Sequence, residues 1–133
     1  MLLNLHAPGQ AGIRSCSAES VILSSGEERR RSFFLSPEIA AQYWPVSDVR
    51  ALTDSDLAEI FARQPDVFLL GTGPRQVFPA AAVMAACLSR RIGIEVMDNA
   101  AAARTFNVLA GEGRNVLLGM LLSGCLDEPP ICG

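Results

Sequence analysis

The chain has 133 residues, half of them hydrophobic, with a formal charge of −3 at pH 7 and a mean hydropathy of +0.28. A chain of this size buries roughly two-thirds of its unfolded surface and is expected to form one domain, 1–133. Its longest apolar stretches, 77–88 and 116–122, are broken by Pro79 or end well short of the ~20 residues that span a bilayer. Only Met1-Leu2-Leu3 stands before Asn4, with no basic n-region, so no cleaved secretory signal is expected and a cytoplasmic location is expected by elimination. All eleven basic residues are arginine, and they are scattered. Nucleic-acid binding needs a concentrated positive surface and is therefore not expected. The one cluster, Arg29-Arg30-Arg31 after Gly26-Glu27-Glu28, reads as the solvated tip or edge of a hairpin. The cysteines, Cys16, Cys87, Cys125 and Cys132, show no paired spacing, and His6 is the sole histidine. Neither a metal site nor any other cofactor site is expected.

Residues 1–12 carry Pro8, Gly9 and Gly12 without periodicity and read as an irregular arm. From Ile13 the pattern is β: Val21-Ile22-Leu23, a turn at Gly26, then Phe33-Phe34-Leu35 before Pro37, most economically a hairpin. Gln42-Tyr43-Trp44 adds a short extended piece, with Trp44 read as a core residue. A helix starts at Thr53, its N-cap, with Asp54 and Asp56 in the first turn; Leu57, Ile60 and Phe61 share a face and Pro65 ends it. Val67 to Leu70 is an unbroken apolar run, the signature of a strand covered on both faces.

Pro79 suits the first turn of the next helix, whose buried stripe is Val83, Met84, Cys87 and Leu88 and whose terminator is Gly93. A strand at Ile94–Met97 follows. Asp98 or Asn99 then caps an alanine-rich helix at 100–110, with Ala102, Phe106 and Leu109 on one face, before a last strand at 115–122. The tail at 123–133, with Pro129-Pro130, reads as loosely ordered. Helical crossovers between strands predict an α/β fold: a three-layer arrangement with a mixed central sheet, a βαβαβ C-terminal half and the N-terminal hairpin packed on it.

Sheets of this kind bind ligands at the carboxyl ends of their strands, here Gly71-Thr72-Gly73 and Met97-Asp98-Asn99. Gly71, Thr72, Gly73, Arg75, Asp98, Arg104 and Asn107 are the candidate crevice residues. Glycines admit a ligand close to the backbone, Asp98 is a carboxylate placed to act as a base or to cap the following helix, and Arg104 and Asn107 supply donors. The loop lacks the third glycine of a dinucleotide fingerprint and the Gly-Lys of a phosphate loop, so a structural turn is the favoured reading. With a single histidine near one end, no nucleophilic triad assembles and no catalytic residues are assigned.

The ordered set Gly71-Thr72-Gly73, Gly93-Ile94, Val96, Asp98, Thr105-Phe106-Asn107, Leu109 and Glu112-Gly113-Arg114 resembles an uncharacterised domain family. That family includes mitochondrial complex I assembly factor 3 and the adipogenesis-associated domain protein. The resemblance implies helices on one side of a mixed sheet and N-terminal β elements on the other. It also implies a non-catalytic interaction or assembly protein with a protein partner, and it carries over no catalytic residues. Asn99 and Pro74 depart from the family's pattern, where Thr and a polar residue are common. The alternative is a small-molecule or anion-binding protein, enzymatic or not, using the crevice. The high hydrophobicity accords with a homodimer or a partner surface without locating it.

Overall fold

The computed structural model describes residues 12–17 and 19–122. The expected arm, apart from Gly12, and the tail at 123–133, with His6, Cys125 and Cys132, lie outside the described residues.

Strands β1 (Ile13–Cys16), β2 (Val21–Leu23) and β3 (Glu28–Arg29) form a small antiparallel sheet in that order. β4 (Phe33–Ser36), β5 (Ile39–Tyr43), β6 (Val67–Gly71), β7 (Gly93–Met97) and β8 (Val116–Met120) form the main sheet in the order β5-β4-β8-β6-β7. β6 runs parallel to both β7 and β8, while β4 is antiparallel to β5 and β8. The mixed sheet, the βαβαβ half and the packed N-terminal β elements are as expected.

The hairpin differs in one respect. The turn is at Gly26, which has φ +98°, but its return strand is β3, pairing Val21 with Arg29. Phe33 to Leu35 belong instead to the main sheet. Phe33, Phe34 and Leu35 are all buried, so this strand needs cover on both faces, and a two-stranded ribbon on the surface cannot provide it.

Three helices complete the layers: α1 (Ala58–Arg63, entered through a 3-10 turn at Asp54–Leu57), α2 (Ala81–Ser89) and α3 (Asn99–Gly111). Thr53 and Asp56 cap the first of these, with the Thr53 N–H donating to Asp56 Oδ2 at 2.9 Å. Leu57 and Ile60 from the α1 segment, with Val83 and Cys87 of α2, pack against Phe34, Phe68, Leu70 and Leu117 on one face of the main sheet. Ala102, Ala103 and Phe106 of α3 join Ile13, Val21 and Leu23 on the other face, against Phe33, Leu69, Leu118 and Met120. The helices therefore do not share one side, as the resemblance implied. The chain steps outward from β6 to β7 through α2, then back past β6 to β8 through α3. Crossovers of one hand in opposite directions place their helices on opposite faces.

Two details of α2 also depart from expectation. Leu88 is 62% exposed rather than buried. The left-handed residue that ends the helix is Arg91, at φ +61°, while Gly93 already lies in β7.

Trp44 is in the core, 2% exposed, edge-on to Phe68 at 6.3 Å between ring centroids, with its indole N–H donating to the Asp56 carbonyl at 2.9 Å. The ring fits because Gly119 of β8 has no side chain: a Cβ there would lie 2.7 Å from Trp44 Cζ3 and 3.0 Å from Phe68 Cε1. Gly119→Ala is therefore expected to destabilise the fold by about 1–3 kcal/mol, as overpacking does. Urea denaturation of the two chains measures it, and an unchanged midpoint would contradict this packing.

Candidate functional site

The carboxyl ends of β6 and β7 and the chain just after β8 meet the first turn of α3, and short-range polar chemistry explains the sequence there. Gly71 is glycine because a Cβ would stand 2.6 Å from Asn99 Oδ1 and 3.2 Å from Ala102 Cβ. Gly73 sits at φ +105°, a conformation that side chains disfavour. Thr72 donates its N–H to the Met97 carbonyl at 2.9 Å and its hydroxyl to the Arg75 carbonyl at 2.6 Å, while the hydroxyl accepts the Val77 N–H at 3.0 Å. Asp98 is the N-cap of α3, accepting the Ala101 N–H at 2.8 Å.

The residue that joins these pieces is Asn99, only 3% exposed. Its Oδ1 accepts the Gly73 N–H at 2.9 Å, its Nδ2 donates to the Leu121 carbonyl at 2.8 Å, and its own N–H donates to the Gly73 carbonyl at 2.8 Å. Sequence reasoning marked Asn99 as an alternative helix cap at a strand end and as a departure from a family pattern, not as the link between the strand ends. The signal it overlooked was an amide, with one donor end and one acceptor end, beside a Gly-x-Gly loop that presents both kinds of backbone group.

The seven candidate residues are not brought together. Gly73 and Asp98 line one cleft of about 260 Å³ with Cys16, Ser17, Pro74 and Asn99. Thr72 and Gly73 line a second, of about 190 Å³, with Asp48, Val77 and Leu121. Gly71 is buried behind both. Arg75 and Arg104 are exposed and form part of neither wall. Asn107 points to the N-terminal sheet, accepting the Ile13 N–H at 2.9 Å and donating to the Ile13 carbonyl at 2.8 Å. It pins β1 to α3.

Cys16 was not singled out in the sequence, yet it faces Asp98 across the first cleft. Its thiol is pushed above the ordinary range, first by burial and second by the Asp98 carboxylate, both of which disfavour the thiolate. It is a protonated, weakly nucleophilic group at neutral pH. Among the described residues, no group of three or more His, Cys, Asp or Glu is placed to hold a metal ion.

A mixed sheet with crossover helices on opposite faces and an antiparallel sheet over α3 places the chain in a recognisable class of α/β domains. An NMR structure of a Xanthomonas campestris protein superposes with a TM-score of 0.80 at 42% identity, covering 93% of this chain and 94% of that one. A Bordetella pertussis protein described as a Mth938-like domain superposes at 0.72 and 25% identity, over 86% and 87%. The chain belongs to the family described as a protein of unknown function, DUF498/DUF598, whose model matches residues 13–121. The 13 kDa major membrane protein of Francisella tularensis is 26% identical over 95 residues, 71% of this chain and 77% of that protein. Among the described residues of this chain, no helix is long and apolar enough to cross a membrane.

Asn99→Ala is expected to cost about 2–4 kcal/mol, since it strands the Gly73 N–H and the Leu121 carbonyl in a buried setting. Thermal and urea melts measure it, and a loss below ~1 kcal/mol would mean that Asn99 does not hold the strand ends together. Asp98→Asn keeps a competent cap but removes the charge beside Cys16. At a fixed pH near 8.5, an ordinary thiol's pKa, alkylation of Cys16 followed by peptide mass mapping should be faster in this variant, because its thiol pKa falls.

Proposed function

We propose that the protein is a non-catalytic interaction domain of the assembly-factor kind, which meets a protein partner on the outer face of α2. The observation that carries this reading is the composition and exposure of that helix. Ala81-Ala82-Val83-Met84-Ala85-Ala86-Cys87-Leu88-Ser89 contains no charged residue. Val83 and Cys87 face the core, but Ala81, Ala82, Ala85 and Leu88 are exposed, as is Phe78 just before the helix at 59%. A helix apolar on every side belongs in a buried setting, and an exposed apolar patch marks a contact surface.

The non-catalytic half of the proposal is supported by the polar groups at the strand ends. The Thr72 and Gly73 N–H groups and the Asp98 carboxylate are each engaged within the chain. A partner with a complementary apolar surface fits the face of α2, and the family resemblance points to subunits of respiratory complexes as its class.

The test compares the wild-type chain with a Phe78→Ser, Leu88→Asp double variant as bait in a native lysate. Both positions are exposed, so stability should change by only about 0.5 kcal/mol per site. The expected result is a reproducible partner held by the wild type and lost at least tenfold by the variant, with unchanged circular dichroism melts. Equal capture by both baits, or no reproducible partner, overturns the reading; so does light scattering that shows only a dimer broken by the variant.

A further inference from the structure

α2 lies in a long stretch of this acidic chain that carries no acidic residue. Residues 67–94 include Arg75, Arg90 and Arg91 but no Asp or Glu, although the whole chain has a formal charge of −3. Arg75 stands in the loop that leads to α2, and Arg90 and Arg91 follow its last residue, so positive charge brackets the helix at both ends. All three are exposed. Arg75 and Arg91 make no ion pair among the described residues. Arg90 is held at the helix end, its guanidinium 4.0 Å from the Phe61 ring centroid and donating to the Ala86 carbonyl at 3.3 Å, and neither contact neutralises its charge.

The neighbouring carboxylates are turned to other tasks or other faces. Asp54 is near enough to Cys87 to act on its thiol, but Cys87 is on the buried, inner side of α2. Asp48 borders a cleft with Val77 and caps the 3-10 turn at Val49–Ala51 through the Arg50 N–H at 3.0 Å. Glu95 alternates along β7 with Ile94 and Val96, which pack in the core beneath α2, so it faces the opposite side of the sheet.

Between the arginines, the outer line of the helix is Ala81, Ala85 and Leu88 at i, i+4 and i+7, opposite the buried Val83 and Cys87. Alanine lets another helix axis come close, toward the lower end of the usual spacing of about 8–10 Å. Entry into a bilayer interface depends instead on bulky Trp, Phe and Leu side chains along a whole helix face. A second copy of the chain also fits poorly. Antiparallel α2 helices would set Arg75 near Arg90 and Arg91, and parallel ones would set each arginine near its own counterpart; like charges so placed repel.

We infer that the occupant of this face is an acidic amphipathic helix of a partner protein. Its apolar stripe seats over Ala81 and Ala85 between Phe78 and Leu88, and Asp and Glu beside the stripe answer Arg75, Arg90 and Arg91. The inference rests on α2 being a contact surface and adds the chemistry of what that surface contacts.

The experiment is an NMR titration of the full chain with two synthetic peptides of about 18 residues, long enough to form a helix. Both carry leucine at i, i+3, i+4 and i+7 with alanine between; the polar positions are Glu in one and Lys in the other. The Glu peptide should shift the amides of residues 75–91 saturably and bind about tenfold or more tighter than the Lys peptide, with the difference shrinking as salt is raised. Arg75→Glu with Arg91→Glu, both at exposed positions, should leave the fold intact and reverse that preference. Equal binding of the two peptides, tighter binding of the Lys peptide, no binding of the Glu peptide, or shifts that fall outside residues 75–91 overturns the inference. So does a wild-type chain that floats with phosphatidylglycerol vesicles and ignores the Glu peptide, or one whose α2 amides shift with its own concentration alone. Lysate capture tells this inference apart from the contact surface it rests on. A partner lost by Phe78→Ser, Leu88→Asp but held equally by the arginine variant overturns only the acidic class, whereas capture indifferent to both variants overturns both.

Discussion

The side chain of Asn99 ties together the end of β6, the start of α3 and the chain leaving β8, through its bonds to Gly73 and to the Leu121 carbonyl. Backbone groups at buried strand ends have lost water and must find partners inside the protein. A single amide supplies both a donor and an acceptor, and Gly71, by lacking a Cβ, gives it room. The consequence extends further along α3, because Asn107 on the same helix holds Ile13 of β1 at both its backbone groups. The placement of the small sheet thus follows from the placement of α3, and that in turn from Asn99. A crevice built this way uses its polar groups to close itself.

The two sides of the main sheet are unequal as a result. α3 is flanked by the N-terminal sheet, whose Ile13, Val21 and Leu23 share its core. On the opposite face, α2 packs inward through Val83 and Cys87, and its outer residues have no described layer over them. Both helices are rich in alanine. The difference in their exposed surfaces comes from what lies beyond each helix, and it leaves α2 with an exposed apolar surface among the described residues.

The arginines show how a sequence reading can be right in part. The cluster at 29–31 does lie at a strand edge, with Arg29 paired to Glu27 at 2.8 Å, as a solvated hairpin tip would have it. Yet Arg29 also lies 5.9 Å from the Phe33 ring centroid and Arg31 lies 5.0 Å from that of Tyr43, while Arg90 covers Phe61 at 4.0 Å. Planar guanidinium groups stack on rings that would otherwise be wetted. Those pairings join residues from different elements, so spacing along the chain carries no trace of them.

Local pattern determined the elements that depend on near neighbours. The apolar run at Val67–Leu70 announced a doubly covered strand, Thr53 and Asp56 announced a helix start, and Asp98 announced a cap; the alternation of strands and helices announced a mixed α/β sheet. These are interactions within about four residues or periodicities of one element, which is the range over which a sequence is self-explanatory. Tertiary structure decided what required distant partners. It drew Phe33–Leu35 into the main sheet and sent α2 and α3 to opposite faces. It turned Asn107 away from the crevice toward Ile13, set Cys16 opposite Asp98 and exposed Leu88. Each of these outcomes depends on which surface another segment covers, and burial and hydrogen-bond satisfaction are settled only when the segments meet.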